Sequence, residues 1–189
     1  MNEHNDQKFR HELKYLISAG ELQLIKNRIH NLIPPDRHSG PDGVYSIRSL
    51  YFDDDRNRCF YENENGTDPR EKFRIRIYNH STQRIMLECK RKERGKTLKT
   101  SCPLSISQAE MLMEGKFLPD FGLLPPLLKK LQLQMMTRRM HPVVIVEYDR
   151  IPYVYKNGNV RITLDTNISS SAAVESFLDA AIAKRPVMR

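Results

Sequence analysis

The sequence predicts an α+β fold: an antiparallel β-barrel with a polar, cationic interior and helices packed outside. Three observations carry that prediction. Strand-like segments alternate charge with apolar bulk at period two. Helix-like segments carry an apolar stripe that needs burying. The charged side of the central strands is too uniform in sign for an ordinary solvated face. If helices cover the apolar side of the sheet, the charged side must point into a closed or nearly closed channel. Closure also removes exposed sheet edges. A sandwich would need apolar residues on the side where these strands carry charge.

The densest stretch is 71–101, EKFRIRIYNHSTQRIMLECKRKERGKTLKTS. Lys72, Arg74, Arg76 and Tyr78 fall on one face, opposite Phe73, Ile75 and Ile77. Arg84, Met86, Glu88, Lys90 and Lys92 then alternate with Ile85, Leu87, Cys89 and Arg91. Thr97, Lys99 and Ser101 follow Gly95. A hairpin sets Arg74, Arg76, Glu88, Lys90 and Lys99 on one sheet face. Like charges on neighbouring strands repel by roughly 2–3 kcal/mol per close pair at an intermediate dielectric. Such a face makes sense when an anion holds it together, and phosphate oxygens are the usual partners of Arg forks and Lys ammonium groups.

The remaining elements follow in order. Residues 1–7 are a frayed polar terminus, and 8–189 form the domain. Residues 8–17 read as the first strand, with Arg10, Glu12 and Lys14 opposite Phe9, His11, Leu13 and Tyr15. His11, on the apolar side, reads as structural. Ser18 and Glu21 form a capping box that opens a helix striped by Leu22, Ile25, Ile29 and Leu32. Pro34 and Pro35 stop it, and 36–43 is a loop. Residues 44–53 are a strand of strong β formers. Asp53, Asp54 and Asp55 supply turn chemistry and cap a short helix at 56–63. Ser107 and Glu110 predict a second capping box. Residues 119–141 carry Leu124, Leu127, Leu128, Leu131 and Met135 at helical spacing, a helix that packs outside the sheet. Strands are expected at 142–149, 153–155 and 160–165, with a turn around Asn157 and Gly158, and a short helix at 174–183.

Composition bounds the function. A chain of 189 residues allows one domain. Apolar content is 39%, low enough that the core is thin or the interior partly polar. A net charge of +8 points to a polyanionic partner: nucleic acid, anionic lipid, or nucleotide and phosphate. Cys59, Cys89 and Cys102 are an odd number without a CxxC pair, which reads as reduced thiols in a cytoplasmic protein. No apolar run approaches the ~18 residues of a membrane span, and no signal-peptide core is present. There is no P-loop, no Ser–His–Asp arrangement and no metal spacing among the histidines. A nucleic-acid binder should expose its basic residues among aromatics, whereas this basic set faces inward.

The inferred channel lining is Glu12, Lys14, Arg74, Arg76, Glu88, Lys90, Lys99, Tyr148, Arg150, Arg161 and Asp165. The cations would hold a chain of phosphates. The carboxylates would hold a divalent cation, or serve equally well as counter-ions to neighbouring Arg.

Seven stretches in order then carry a resemblance: RHELKYLIS at 10–18, YSIRSLYFDD at 45–54, REKFRIRIYN at 70–79, IMLECKRK at 85–92, TLKTSCPLS at 97–105, VVIVEYDRIPYV at 143–154 and VRITLDTNI at 160–168. The chain resembles the VTC domain, the polyphosphate polymerase domain of the triphosphate tunnel metalloenzyme superfamily. The resemblance implies transfer of the ATP γ-phosphate onto polyphosphate, with Mn²⁺ or Mg²⁺. It puts phosphate-binding positions on Lys14, Arg74, Arg76, Lys90, Lys99, Arg150 and Arg161, and a tunnel tyrosine on Tyr148. Of these, Lys14, Arg74, Arg76 and Lys90 are the expected catalytic set. Glu12, Glu88 and Asp165 are the expected metal ligands. Arg10 stands where the superfamily's hydrolases have the first Glu of the ExExK pattern, while Glu12 and Lys14 remain, which looks like the VTC branch and counts against the alternative of a triphosphatase. The family's closing C-terminal strand, with its metal-binding Glu, has no counterpart before the chain ends at AAIAKRPVMR, although Pro186 to Met188 could begin it. Three readings follow: a shortened chain, a strand supplied by another copy in a homo-oligomer, or a module that binds without turnover. A separate membrane partner is a further expectation.

Overall fold

The computed structural model describes residues 9–34, 36, 42–155, 158 and 160–187. The frayed terminus expected at 1–7, most of the 36–43 loop and Asn157 of the expected turn lie outside them. Among the described residues eight strands make one sheet: β1 (Arg10–His11), β2 (Tyr45–Asp53), β3 (Arg70–Tyr78), β4 (Ser81–Glu93), β5 (Lys96–Leu104), β6 (His141–Tyr155), β7 (Val160–Ser171) and β8 (Arg185–Pro186). Their order is β1-β5-β4-β3-β2-β6-β7-β8, and every pairing is antiparallel. Four helices accompany them: α1 (Ala19–His30), α2 (Arg58–Glu64), α3 (Ile106–Met113) and α4 (Pro126–Arg138).

The period-two pattern decides which face is buried. Phe73, Ile75 and Ile77 of β3, Ile85, Leu87 and Cys89 of β4, and Leu50 and Ile145 of β2 and β6 form one apolar cluster. Ala109 and Leu112 of α3 and Leu127, Leu128, Leu131 and Met135 of α4 complete it. Helices α3 and α4 therefore cover the apolar face, as their stripes require, and the charged face lies opposite; α1 buries no residue, so its expected stripe of Leu22, Ile25, Ile29 and Leu32 stays outside this cluster. Register shifts in the β2–β6, β3–β4 and β6–β7 pairs bend the sheet. Among the described residues β1 and β8 do not pair, so backbone hydrogen bonds leave the sheet open at its edges.

Several elements differ from expectation. The first strand is only Arg10–His11, not 8–17, because β5 offers just Thr97 and Lys96 as partners. His11 is exposed there, not buried. The capping box of α3 is Ser105 with Gln108, two residues before the predicted pair: Gln108 N donates to Ser105 Oγ at 3.1 Å, and Ser105 N to Gln108 Oε1 at 3.0 Å. The 119–141 helix is a 3₁₀ turn at 121–123 followed by α4, with Pro126 in its first turn, where a missing N–H is harmless. The strands at 142–149 and 153–155 are one strand, since Pro152 fits the β6–β7 ladder opposite Thr163. β7 runs on to Ser171, and 174–183 holds a single 3₁₀ turn at 174–176. The predicted box at Ser18 and Glu21 and the capping role of the aspartates are present. Asp53 accepts from the backbone N–H of Cys59 at 2.8 Å and of Phe60 at 3.0 Å.

Candidate anion-binding site

The charged face is built as cross-strand rows. The central row is Tyr51–Arg74–Glu88–Ser101, read across β2, β3, β4 and β5. On one side lies Ser49–Arg76–Met86–Pro103, and on the other Lys72–Lys90–Lys99. Side chains in such rows stand within reach of their neighbours.

Glu88 is the hub, with its side chain 3% exposed. It accepts from Arg74 Nε at 2.8 Å and Nη2 at 2.7 Å, and from Lys99 Nζ at 3.0 Å; Arg76 Nη1 lies 3.6 Å away. Burial alone would push this carboxyl up. Arg74, Arg76 and Lys99 outweigh burial and bring it down to about 2. One carboxylate thus faces three cations, leaving local positive charge uncompensated.

Neutral groups hold the guanidinium forks in place. Arg74 donates to Tyr51 Oη at 3.0 Å, and Arg76 to Ser49 Oγ at 3.0 Å and Tyr148 Oη at 3.2 Å. Burial raises the Tyr51 phenol, but Arg74 and Arg76 more than reverse it, so the group sits below its usual value. Tyr148 is shifted the other way, because burial prevails there over Arg76 and Arg150.

Lys90 meets Glu12 at 2.6 Å. Lys14 is exposed, yet its charge reaches Glu12, Tyr51, Lys72 and Lys90. Arg150 donates to both Asp165 oxygens at 2.7 Å and to Tyr148 Oη at 3.2 Å. Arg161, 48% exposed, reaches Tyr45 Oη at 3.2 Å and Asp36 at 3.3 Å. The structure therefore gathers Lys14, Arg74, Arg76, Lys90, Lys99 and Tyr148 around Glu88 and Glu12. Arg150 and Asp165 join through Tyr148, and Arg161 sits at the rim.

The three expected metal ligands do not converge. Glu88 is held by Arg and Lys, Glu12 by Lys90, and Asp165 by both arms of Arg150. Among the described residues no group of three His, Cys, Asp or Glu could hold a metal ion. Each carboxylate is paired as a counter-ion would be, the alternative the sequence leaves open, and a preformed protein metal cage does not fit the described residues.

Ser49, Tyr51 and Tyr45 belong to the site without having been singled out. Alternation in YSIRSLY at 45–51 places Tyr45, Ser49 and Tyr51 on one face, but neutral side chains carry no charge signal. A second buried cluster, Arg48 with Glu147, was also missed. It lies on the helix-covered face, where charge is unexpected.

An antiparallel sheet with helices on one face and this cationic row on the other defines a triphosphate-tunnel-type protein. A family model described as the VTC domain matches residues 9–189, and the chain belongs to that family. No curated protein matches it by sequence. The fold is shared with a crystal structure described as a candidate adenylate cyclase from Bacillus halodurans, at 17% identity and a TM-score of 0.56, covering 84% of this chain and 71% of that one. A candidate adenylyl cyclase from Hippeastrum, described as having dominant triphosphatase activity, aligns at 14% identity and a TM-score of 0.45, over 82% and 70% of the two chains.

Proposed function

We propose that the cationic face binds ATP and inorganic polyphosphate, and that the protein transfers the ATP γ-phosphoryl group to the end of a polyphosphate chain. The observation that carries this reading is the contiguous Arg74–Arg76–Lys90–Lys99 group around the carboxylates Glu88 and Glu12. Phosphoryl transfer asks a protein mainly for positioning and charge stabilisation, and such a group provides both. Arg74 and Arg76 are already oriented by Glu88, Tyr51, Ser49 and Tyr148, so little ordering remains when phosphate arrives. A terminal polyphosphate oxygen would form the new P–O bond while the β–γ bridging bond breaks, and ADP would leave with the bridging oxygen. Lys14, Lys90 and Lys99 would neutralise the oxygens of donor and acceptor. Lys99 would leave Glu88 for phosphate most readily, since its side chain is 41% exposed.

Incubation with ATP and Mn²⁺ tests the reading. Polyphosphate and ADP support it; free phosphate would indicate a triphosphatase instead. Among the described residues no three His, Cys, Asp or Glu gather to hold a metal ion, which favours a second reading, a module that binds polyphosphate without turnover. Tight binding with no product would select it. Arg74→Ala should weaken triphosphate binding by roughly 1.5–3 kcal/mol, the value of a charge-assisted hydrogen bond. An unchanged affinity by calorimetry would remove Arg74 from the site. A cytoplasmic location agrees with three free, buried cysteines, and no helix among the described residues is long and apolar enough to cross a membrane.

A further inference from the structure

On the helix-covered side of the sheet a cavity of about 260 Å³ opens where α2, the C-terminal end of α4, the start of β3 and the end of β4 meet. Three arginines line it: Arg70 of β3, Arg91 of β4 and Arg138 of α4. Arg91 alternates with Ile85, Leu87 and Cys89, so it points away from the cationic face. Its cross-strand neighbour Glu71 is turned to Lys130 Nζ, at 2.6 Å. Arg91 Nη2 meets Glu93 at 2.8 Å, but its Nε is buried and has no hydrogen-bond partner. A buried N–H without an acceptor is destabilising, and native proteins rarely keep one without a use for it. Arg70 donates to the Thr67 carbonyl at 2.7 Å. Among the described residues neither Arg70 nor Arg138 has a carboxylate in ion-pair range.

Phe73, Pro69 and Met140 add apolar wall to the same cavity. Two carboxylates, Glu62 and Glu71, also line it, and Glu71 is already neutralised by Lys130, so positive charge is in excess. Burial, with Asp53 nearby, pushes the Cys59 thiol up to about 12, so the cavity offers no thiolate nucleophile. A neighbouring cavity of about 270 Å³ shares Glu71 and Arg91 but adds only Lys130 as a cation, and Glu71 holds it. We infer that the first cavity is an anion site of its own, on the opposite side of the sheet from the cationic face, for a small organic phosphate. The phosphate would sit on Arg91 and Arg138, and its apolar body against Phe73 and Met140. Several guanidinium groups around one cavity call for more acceptor oxygens than a carboxylate has, and a phosphate monoester supplies them. The volume lies below the roughly 300–1,000 Å³ of drug-sized sites, which favours a ligand of few heavy atoms. The inference does not depend on what the cationic face binds.

Calorimetric titration with phenyl phosphate tests the site, with orthophosphate and benzoate as comparisons. Wild type should bind phenyl phosphate roughly tenfold more tightly than orthophosphate, which lacks the apolar body. It should also bind it more tightly than benzoate, which has fewer acceptor oxygens. In Arg91→Met, phenyl phosphate affinity should fall about tenfold or more, the lower bound for one lost charged hydrogen bond. Its Tm should hold or rise, because the change removes a buried N–H that has no acceptor. Arg138→Ala, at an exposed position, should weaken phenyl phosphate roughly threefold, and it decides the matter if Arg91→Met does not fold. Arg74→Ala, on the cationic face, should change phenyl phosphate affinity less than about twofold. No binding by wild type, or unchanged affinity in both Arg91→Met and Arg138→Ala, overturns the cavity site. A loss in Arg74→Ala as large as in Arg91→Met overturns it too and puts the ligand on the cationic face. Orthophosphate or benzoate binding as tightly as phenyl phosphate overturns the organic-phosphate assignment.

Discussion

At the scale of single residues, Glu88 decides how the site behaves. Its carboxyl is held at about 2, below the ordinary value of 4.5. A depressed carboxyl contributes stability that is fully present above the unfolded value. That stability is lost as pH falls through the folded one. The window for Glu88 therefore runs from about pH 4.5 down to 2. Glu147, held at about 2 against burial by Lys184, Arg48 and His80, shares that window. Glu88→Gln should therefore flatten only part of the acid limb of a urea-midpoint-against-pH curve. At pH 7 the same change leaves Arg74, Arg76 and Lys99 facing one another and should cost roughly 3–5 kcal/mol. Tripolyphosphate should recover more stability in the variant than in wild type, because phosphate would replace the missing counter-ion. Equal recovery in both would mean that the anion does not sit beside Glu88.

At the scale of elements, the C-terminal segment is tied to the sheet by charge. Arg48 is 1% exposed on the helix-covered face of β2 and meets Glu147 of β6 at 2.6 Å. Its Nη1 donates to the carbonyls of Phe177, at 3.0 Å, and Asp179. Lys184 closes the same cluster on Glu147. The clamp fixes the chain between Phe177 and Lys184, just before β8 pairs with β7 at Ser169 and Ser170. Arg48→Met strands Glu147 with fewer partners and frees the carbonyls of Phe177 and Asp179. It should cost roughly 3–5 kcal/mol and speed amide exchange at Val187, whose N–H bonds Ile168 O at 2.9 Å. Unchanged exchange there would mean that β8 holds without the clamp. This element also shows what a sequence conceals. Alternation in β3 and β4 revealed both faces because every second residue changes chemistry. In β2 it did not: Arg48 sits on the apolar side, and its partner lies 99 residues away. A pairing that distant leaves no local periodicity. The N-terminal strand was overread for a related reason, since 10–15 alternate well but only Arg10 and His11 find β5.

At the scale of the whole molecule, the sheet separates an apolar face from a cationic one, and the two are stabilised differently. The apolar cluster carries no charge for salt to screen. The cationic face carries self-repulsion that an anion relieves, and salt screens both the repulsion and the binding. A ligand that binds only the folded state adds about 2.7 kcal/mol at a hundred times its Kd. For a domain of this size each kcal/mol moves Tm by roughly 2–4 °C. Tripolyphosphate at that excess should therefore raise Tm by roughly 5–11 °C in low salt. The shift should shrink as sodium chloride is added at fixed ligand, because the Debye length falls from about 10 Å at 0.1 M to 3 Å at 1 M. Sodium sulfate at matched ionic strength separates the site from general charge. A sulfate ion cannot span the Arg74 and Arg76 rows, roughly 7 Å apart along β3, so its shift should be the smaller one. Equal shifts with the two anions would show that the rows act as independent charges on a surface. A larger shift with tripolyphosphate requires them to act together on one connected ligand, the behaviour on which the polyphosphate reading depends.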